Sequence, residues 1–131
     1  MALGMSAYLA NAVLDAIGNN TAMPAIANVY LQLHVGDPGA AGLSAPAGET
    51  TRREVTFEGA GYDLDGEMPS DADTGWYLVS TTETYTHYSA WDAVSGGNFL
   101  WSDTIAAGPA TINENFVVPA GQTRLTIAIA S

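Results

Sequence analysis

The stretch Val29-Tyr30-Leu31-Gln32-Leu33-His34-Val35 decides the fold of this 131-residue chain. Its apolar residues Val29, Leu31, Leu33 and Val35 alternate with Tyr30, Gln32 and His34. Because successive side chains of a strand point to opposite faces, this alternation predicts a strand with one buried face. Gly36-Asp37-Pro38-Gly39 then stops it with turn residues. Working outward, aromatic and β-branched residues cluster again over residues 52–58, 76–82, 84–91, 98–105, 111–118 and 123–130. Turn signals such as Ser95-Gly96-Gly97 and Pro119-Ala120-Gly121 separate them. In the last segment Leu125, Ile127 and Ile129 are expected on one face, with Arg124, Thr126 and Ala128 on the other. Short strands with little helix between them predict a mainly β fold, an antiparallel β-sandwich of Greek-key or jelly-roll-like type.

Ahead of these strands lies one helical segment. Leu9, Val13, Leu14 and Ile17 recur at helical spacing, Ser6 can cap the start, and Gly18-Asn19-Asn20 can end it, which predicts a short helix over residues 6–17. Ala7, Ala10, Ala12 and Ala16 favour helix and keep it slim enough to lie on a sheet or against a neighbouring chain. Residues 36–50 are rich in Gly, Pro and Ala without periodicity, so a long loop or arm is expected. Residues 59–75 carry Asp63, Asp65, Glu67, Asp71 and Asp73 and are expected as an exposed acidic loop. No fixed-period repeat is visible, and the length suits a single domain over residues 1–131.

With 47% apolar and 13% charged residues the chain has the composition of a globular protein. Three arginines against 14 acidic residues leave a net charge of −11. That balance argues against nucleic-acid binding, since no basic patch is available to displace counterions from phosphates. An anionic membrane surface would repel it as well. The start, Met1-Ala2-Leu3-Gly4-Met5, has no basic flank, and Asn11 and Asp15 interrupt the apolar stretch behind it, so neither a signal peptide nor a membrane span is expected. With no cysteine there is neither a disulfide nor a thiolate site.

Candidate chemistry is sparse. A calcium loop of EF-hand spacing starting at Asp63 needs a glycine where Met68 stands and a glutamate where Thr74 stands. His34 and Asp37 offer a base with an orienting carboxylate, but no Gly-x-Ser-x-Gly elbow accompanies them and His87 falls in another strand. A strand histidine satisfied by local hydrogen bonds is the simpler reading. Nothing selects a carboxylate pair for glycoside cleavage, and the glycines sit in ordinary turns rather than phosphate loops. A non-enzyme with no catalytic residues, cofactor or metal is therefore expected. Trp76, Trp91 and Trp101, with Tyr77, Tyr85 and Tyr88, make the central strands aromatic. Such rings stack on sugars in carbohydrate-binding sandwiches, and they also fill β cores and subunit contacts. Trp76, Trp91 and Trp101, together with Leu9 and Val13 of the helix, are the candidate interface residues.

Three stretches carry a family resemblance: Leu9-Ala10-Asn11-Ala12-Val13-Leu14-Asp15, then Tyr30-Leu31-Gln32-Leu33-His34-Val35-Gly36-Asp37-Pro38-Gly39, then Thr86-His87-Tyr88-Ser89-Ala90-Trp91-Asp92-Ala93-Val94-Ser95-Gly96-Gly97-Asn98-Phe99-Leu100. With Val117-Val118-Pro119-Ala120-Gly121 before the last strand, the chain resembles small virion proteins of tailed bacteriophages, especially phages of actinobacteria, described as tail-fibre-like, minor tail or head-decorating. Val35, where many relatives have Thr, and the acidic stretch 63–73 depart from that pattern. The resemblance implies a compact, non-enzymatic β domain on the virion. The expected function is decoration of the head by binding the major capsid protein shell; the alternatives are a tail or fibre component and a carbohydrate-binding host-attachment module. Sheet edges without protective lysines further suggest contact with copies of itself, and the threefold positions of capsid lattices suggest a trimer.

Overall fold

The computed structural model describes residues 3–62, 64–127 and 129–130, so Asp63 of the acidic stretch and Ala128 of the last strand lie outside the described residues. In chain order the elements are β1 (Gly4–Met5), α1 (Ala7–Gly18), β2 (Val29–His34), β3 (Arg53–Val55), β4 (Glu67–Pro69), β5 (Tyr77–Leu78), β6 (Glu83–Trp91), β7 (Phe99–Ala110), β8 (Asn115–Phe116) and β9 (Arg124–Thr126). A five-stranded sheet has the order β1-β7-β6-β2-β3, and two small ladders, β4-β9 and β5-β8, accompany it. Every pairing is antiparallel. The architecture is mainly β and sandwich-like, with one helix, as the alternating segments predict.

β2 is the strand at the centre of this logic. Its register sets Leu31 opposite Ala90 and Leu33 opposite Tyr88. Ala90 in turn faces Trp101 of β7, so Leu31, Leu33, Tyr88, Ala90 and Trp101 share one apolar face. Tyr77, Val79 and Val118 from the region of the small ladders are buried in the same core, with Leu125 packed against it. The alternation predicts one buried face on β2, yet Gln32 and His34 on the other face are buried too. Residues 36–50 account for this. They are a loop, as expected, but one that folds back: Val35 N–H donates to Ala45 O at 3.0 Å, Ala47 N–H donates to Leu33 O at 3.1 Å, and Pro38 is wholly buried.

α1 matches its predicted span closely because the caps are encoded locally. Ser6 Oγ accepts the Leu9 N–H at 3.1 Å, and Asn19 N–H donates to Asp15 O at 3.0 Å. The helix packs on β7. Only Leu9 is fully buried, Val13 is half-buried, and Leu14 and Ile17 are exposed, so the four residues at helical spacing do not all meet the sheet. At 3.6 residues per turn Leu14 lies about 140° round the axis from Leu9, and Ile17 about 80°.

The acidic stretch differs from a plain exposed loop, since it contains β4, whose Glu67 pairs with Thr126 and Pro69 with Arg124. The C-terminal strand stops at Thr126, so Ile127 and Ile129 are exposed rather than buried in line with Leu125. Gly66 makes the crossing of these segments possible. It has φ +78°, and a Cβ there would stand 2.5 Å from Ile127 O and 2.9 Å from Ile129 Cγ2. Gly66→Ala is therefore expected to cost about 1–3 kcal/mol from backbone strain and the clash, read as a lower denaturant midpoint at unchanged slope.

Candidate functional site

Two groups of residues have the makings of a site: the polar cluster around His34 and the surfaces that expose apolar side chains. In the first, His34 on β2 and Ser89 on β6 are neighbours across the strand pair, with Trp91 two residues further on. Trp91 Nε1–H donates to Ser89 Oγ at 2.8 Å, and Ser89 Oγ lies 2.7 Å from His34 Nε2. His34 Nδ1 is 2.8 Å from Ser44 O. A carbonyl only accepts, so Nδ1 carries the proton and Nε2 accepts from the serine hydroxyl. The result looks like a serine–histidine pair, but His34 and Ser89 have no solvent exposure and both ring nitrogens are occupied. Burial lowers the His34 pKa by disfavouring the imidazolium, and nearby His87 acts in the same direction. Asp37 does not orient His34 as the sequence spacing suggests; its Oδ1 accepts Gly39 N–H at 2.8 Å and shapes the turn. The cluster ties the returning loop to the sheet.

Three carboxylates of the acidic stretch, Glu67, Asp71 and Asp73, are likewise engaged in holding elements together. Glu67 pairs with Arg124 at 2.6 Å, Asp73 Oδ1 accepts Ala120 N–H at 2.9 Å, and Thr56 donates to Asp71. Among the described residues no group of three or more His, Asp or Glu is arranged to hold a metal ion. Among the same residues no helix is long and apolar enough to cross a membrane.

The tryptophans separate into two classes. Trp101 is 3% exposed, packs against Phe57 at 5.8 Å between ring centroids, and donates its Nε1–H to Tyr88 OH at 2.9 Å. Tyr88 OH donates onward to Arg124 O at 3.2 Å, so burial of both polar rings is compensated, and burial raises the Tyr88 pKa. Trp91 is also buried; Arg52 lies 4.0 Å over its ring and donates to Ala93 O and Gly96 O, gathering the β6–β7 hairpin loop. Of the candidate interface residues, then, Trp91, Trp101 and Leu9 place their apolar surface within this chain's own core. Trp76 is 66% exposed, beside Arg53, whose Nε–H donates to Trp76 O at 2.9 Å. Val13 is half-buried at the base of α1.

An open apolar groove of about 440 Å³ runs between α1, residues 23–29, β3 and β9, with Met23, Ile26, Phe57, Met68 and Leu125 in its walls. Sequence reasoning missed it, because its walls come from segments that are far apart in the chain and individually unremarkable in pattern. Beside it the outward side of α1 exposes Leu14 and Ile17. The arrangement places apolar surfaces on a strongly acidic body. No curated protein matches the chain. A family model described as podophage GP4 fiber I protein gp80 matches residues 4–126, from the first residue of β1 to the last residue of β9. With every strand and the helix inside the matched span, the chain belongs to this family of bacteriophage fibre-like structural proteins.

Proposed function

We propose that the chain is a tail-fibre component of the virion, working through contact surfaces rather than catalysis. The family match over residues 4–126 carries this reading, and because the family is described by a fibre protein it supports the tail over decoration of the major capsid protein shell. The buried His34–Ser89 pair and the engaged carboxylates support a non-catalytic role. Its partners are neighbouring virion proteins and copies of itself, held at exposed apolar positions such as Leu14, Ile17 and Trp76. Electron microscopy of particles labelled with antibody against this chain tests the proposal. Label confined to the tail, at a copy number set by tail symmetry, is the expected result; label spread over the head lattice would overturn it. The exposed ring of Trp76 favours a carbohydrate contact as a second reading. That reading requires glycan binding by the purified chain that Trp76→Ala abolishes.

A further inference from the structure

Of α1 only Leu9 is buried; Ala12 and Val13 are half-buried and Ala16 is exposed. Leu9 meets the sheet, with Ala12, Val13 and Ala16 on the same side of the helix. Ala7, Ala10, Leu14 and Ile17 fall on a second line, at successive spacings of three, four and three residues. This is the alternation of a helix–helix seam, so the surface fits another helix. Leu14 and Ile17 on it are 62% and 79% exposed. Asp15, the only charged residue of α1, projects about 120° away from the centre of the line.

Two features select the occupant. On a chain of net charge −11, an uncharged apolar stripe is where a second copy can approach at least electrostatic cost, whereas a basic partner would be drawn to the carboxylates elsewhere. The stripe is also ordered by size, with Ala7 and Ala10 in its first half and Leu14 and Ile17 in its second. Two such helices running in opposite directions set Leu14 against Ala10 and Ile17 against Ala7 of the other copy, large on small at both ends. A self-complementary patch is what an isologous contact requires. We infer that the outer stripe of α1 is a homotypic docking surface, occupied by the same stripe of a second copy in antiparallel alignment.

This deepens the fibre reading by naming where copies meet. A helix of 12 residues is about 18 Å long, and a seam about 10 Å wide along it buries roughly 200 Å² per copy. That is well below the roughly 800 Å² of a standard interface, so association of the free chain is weak and concentration-dependent. Copies anchored side by side on a particle would meet at millimolar effective concentration, where such a contact suffices.

Sedimentation equilibrium of the full chain between about 10 µM and about 1 mM, the range of tethered effective concentrations, tests the inference without reference to the particle. Its outcome is therefore independent of where labelled particles place the protein. The wild type is expected to rise toward two chains at the upper end. Leu14→Asp with Ile17→Asp, and the milder Leu14→Ala with Ile17→Ala should the first not fold, are expected to weaken association at least about tenfold with an unchanged circular dichroism spectrum. Leu43→Asp, at an exposed position of the 36–50 loop and outside the stripe, should associate as the wild type does. A wild type that stays monomeric throughout, or a stripe variant that associates like the wild type, would overturn the inference. Mixing Ala7→Cys and Ile17→Cys chains, in a protein with no native cysteine, should give the mixed disulfide. Preferential bridging between two Ile17→Cys chains would overturn the antiparallel alignment.

Discussion

Trp101→Ala is expected to destabilise the chain by about 3–5 kcal/mol, the range for removing a large aromatic side chain from a packed core. The ring is 3% exposed, and its removal takes away the contact with Phe57 and leaves Tyr88 OH without the indole donor. For a domain of this size the loss corresponds to a fall of roughly 10–20 °C in the thermal midpoint. Trp76→Ala is the contrasting case. Its ring is 66% exposed, so the midpoint should move by no more than a surface substitution does, within about 0.5 kcal/mol. The comparison separates two roles that composition alone leaves together. If Trp101 anchored a partner rather than the core, its loss would spare the isolated chain and reduce incorporation into the virion. Differential scanning calorimetry of the two purified variants decides this, and equal midpoints for both would refute the assignment of Trp101 to the core.

Which tryptophan goes inside is not written in the local pattern. Trp91 and Trp101 lie in β6 and β7, the long pair at the middle of the large sheet, where neighbours on both sides supply cover. Trp76 precedes a strand of two residues and has no such neighbours. Legibility in the sequence follows the same division. β2, β6 and α1 are readable because alternation, β-branching and end caps are properties of consecutive residues. β1 and β4 are not, since two or three residues carry no period and pair only because tertiary contacts bring β7 and β9 to them. Glu67-Met68-Pro69 inside an acidic run has every local mark of a loop, and becomes a strand through the Arg124–Glu67 pair and the ladder with β9. The outer stripe of α1 was present in the sequence as Ala7, Ala10, Leu14 and Ile17, but separating it from the Leu9 stripe requires knowing which side meets the sheet. The family resemblance in the sequence reached a tailed-phage structural protein, and the family match over residues 4–126 shows a bacteriophage fibre-like family.

His34 shows how a residue in the polar phase of an alternating strand can become a determinant of stability. Its fate depends on Gly36-Asp37-Pro38-Gly39 turning the chain back over β2, which no period on β2 itself reveals. His34→Leu keeps an apolar side chain in the buried space but leaves Ser44 O and Ser89 Oγ without their imidazole partners, at an expected cost of about 2–4 kcal/mol. The variant also loses a pH dependence. Burial holds the folded His34 pKa below the 6.5 of an unperturbed histidine, so the unfolded chain binds more protons as pH falls through that value. The stabilisation from neutral His34 is complete above pH 6.5 and is lost progressively as pH falls from there toward the folded pKa. The 14 Asp and Glu residues and half-buried His87 opposite His34 are common to wild type and variant. Denaturation curves at pH 7 and pH 5 should therefore show the wild type losing more stability over the interval than His34→Leu, with the gap between them narrowing as pH falls. A gap that is constant or widens toward pH 5 would mean that the buried imidazole does not resist protonation, and the loop it fastens would need another explanation for its closure over β2.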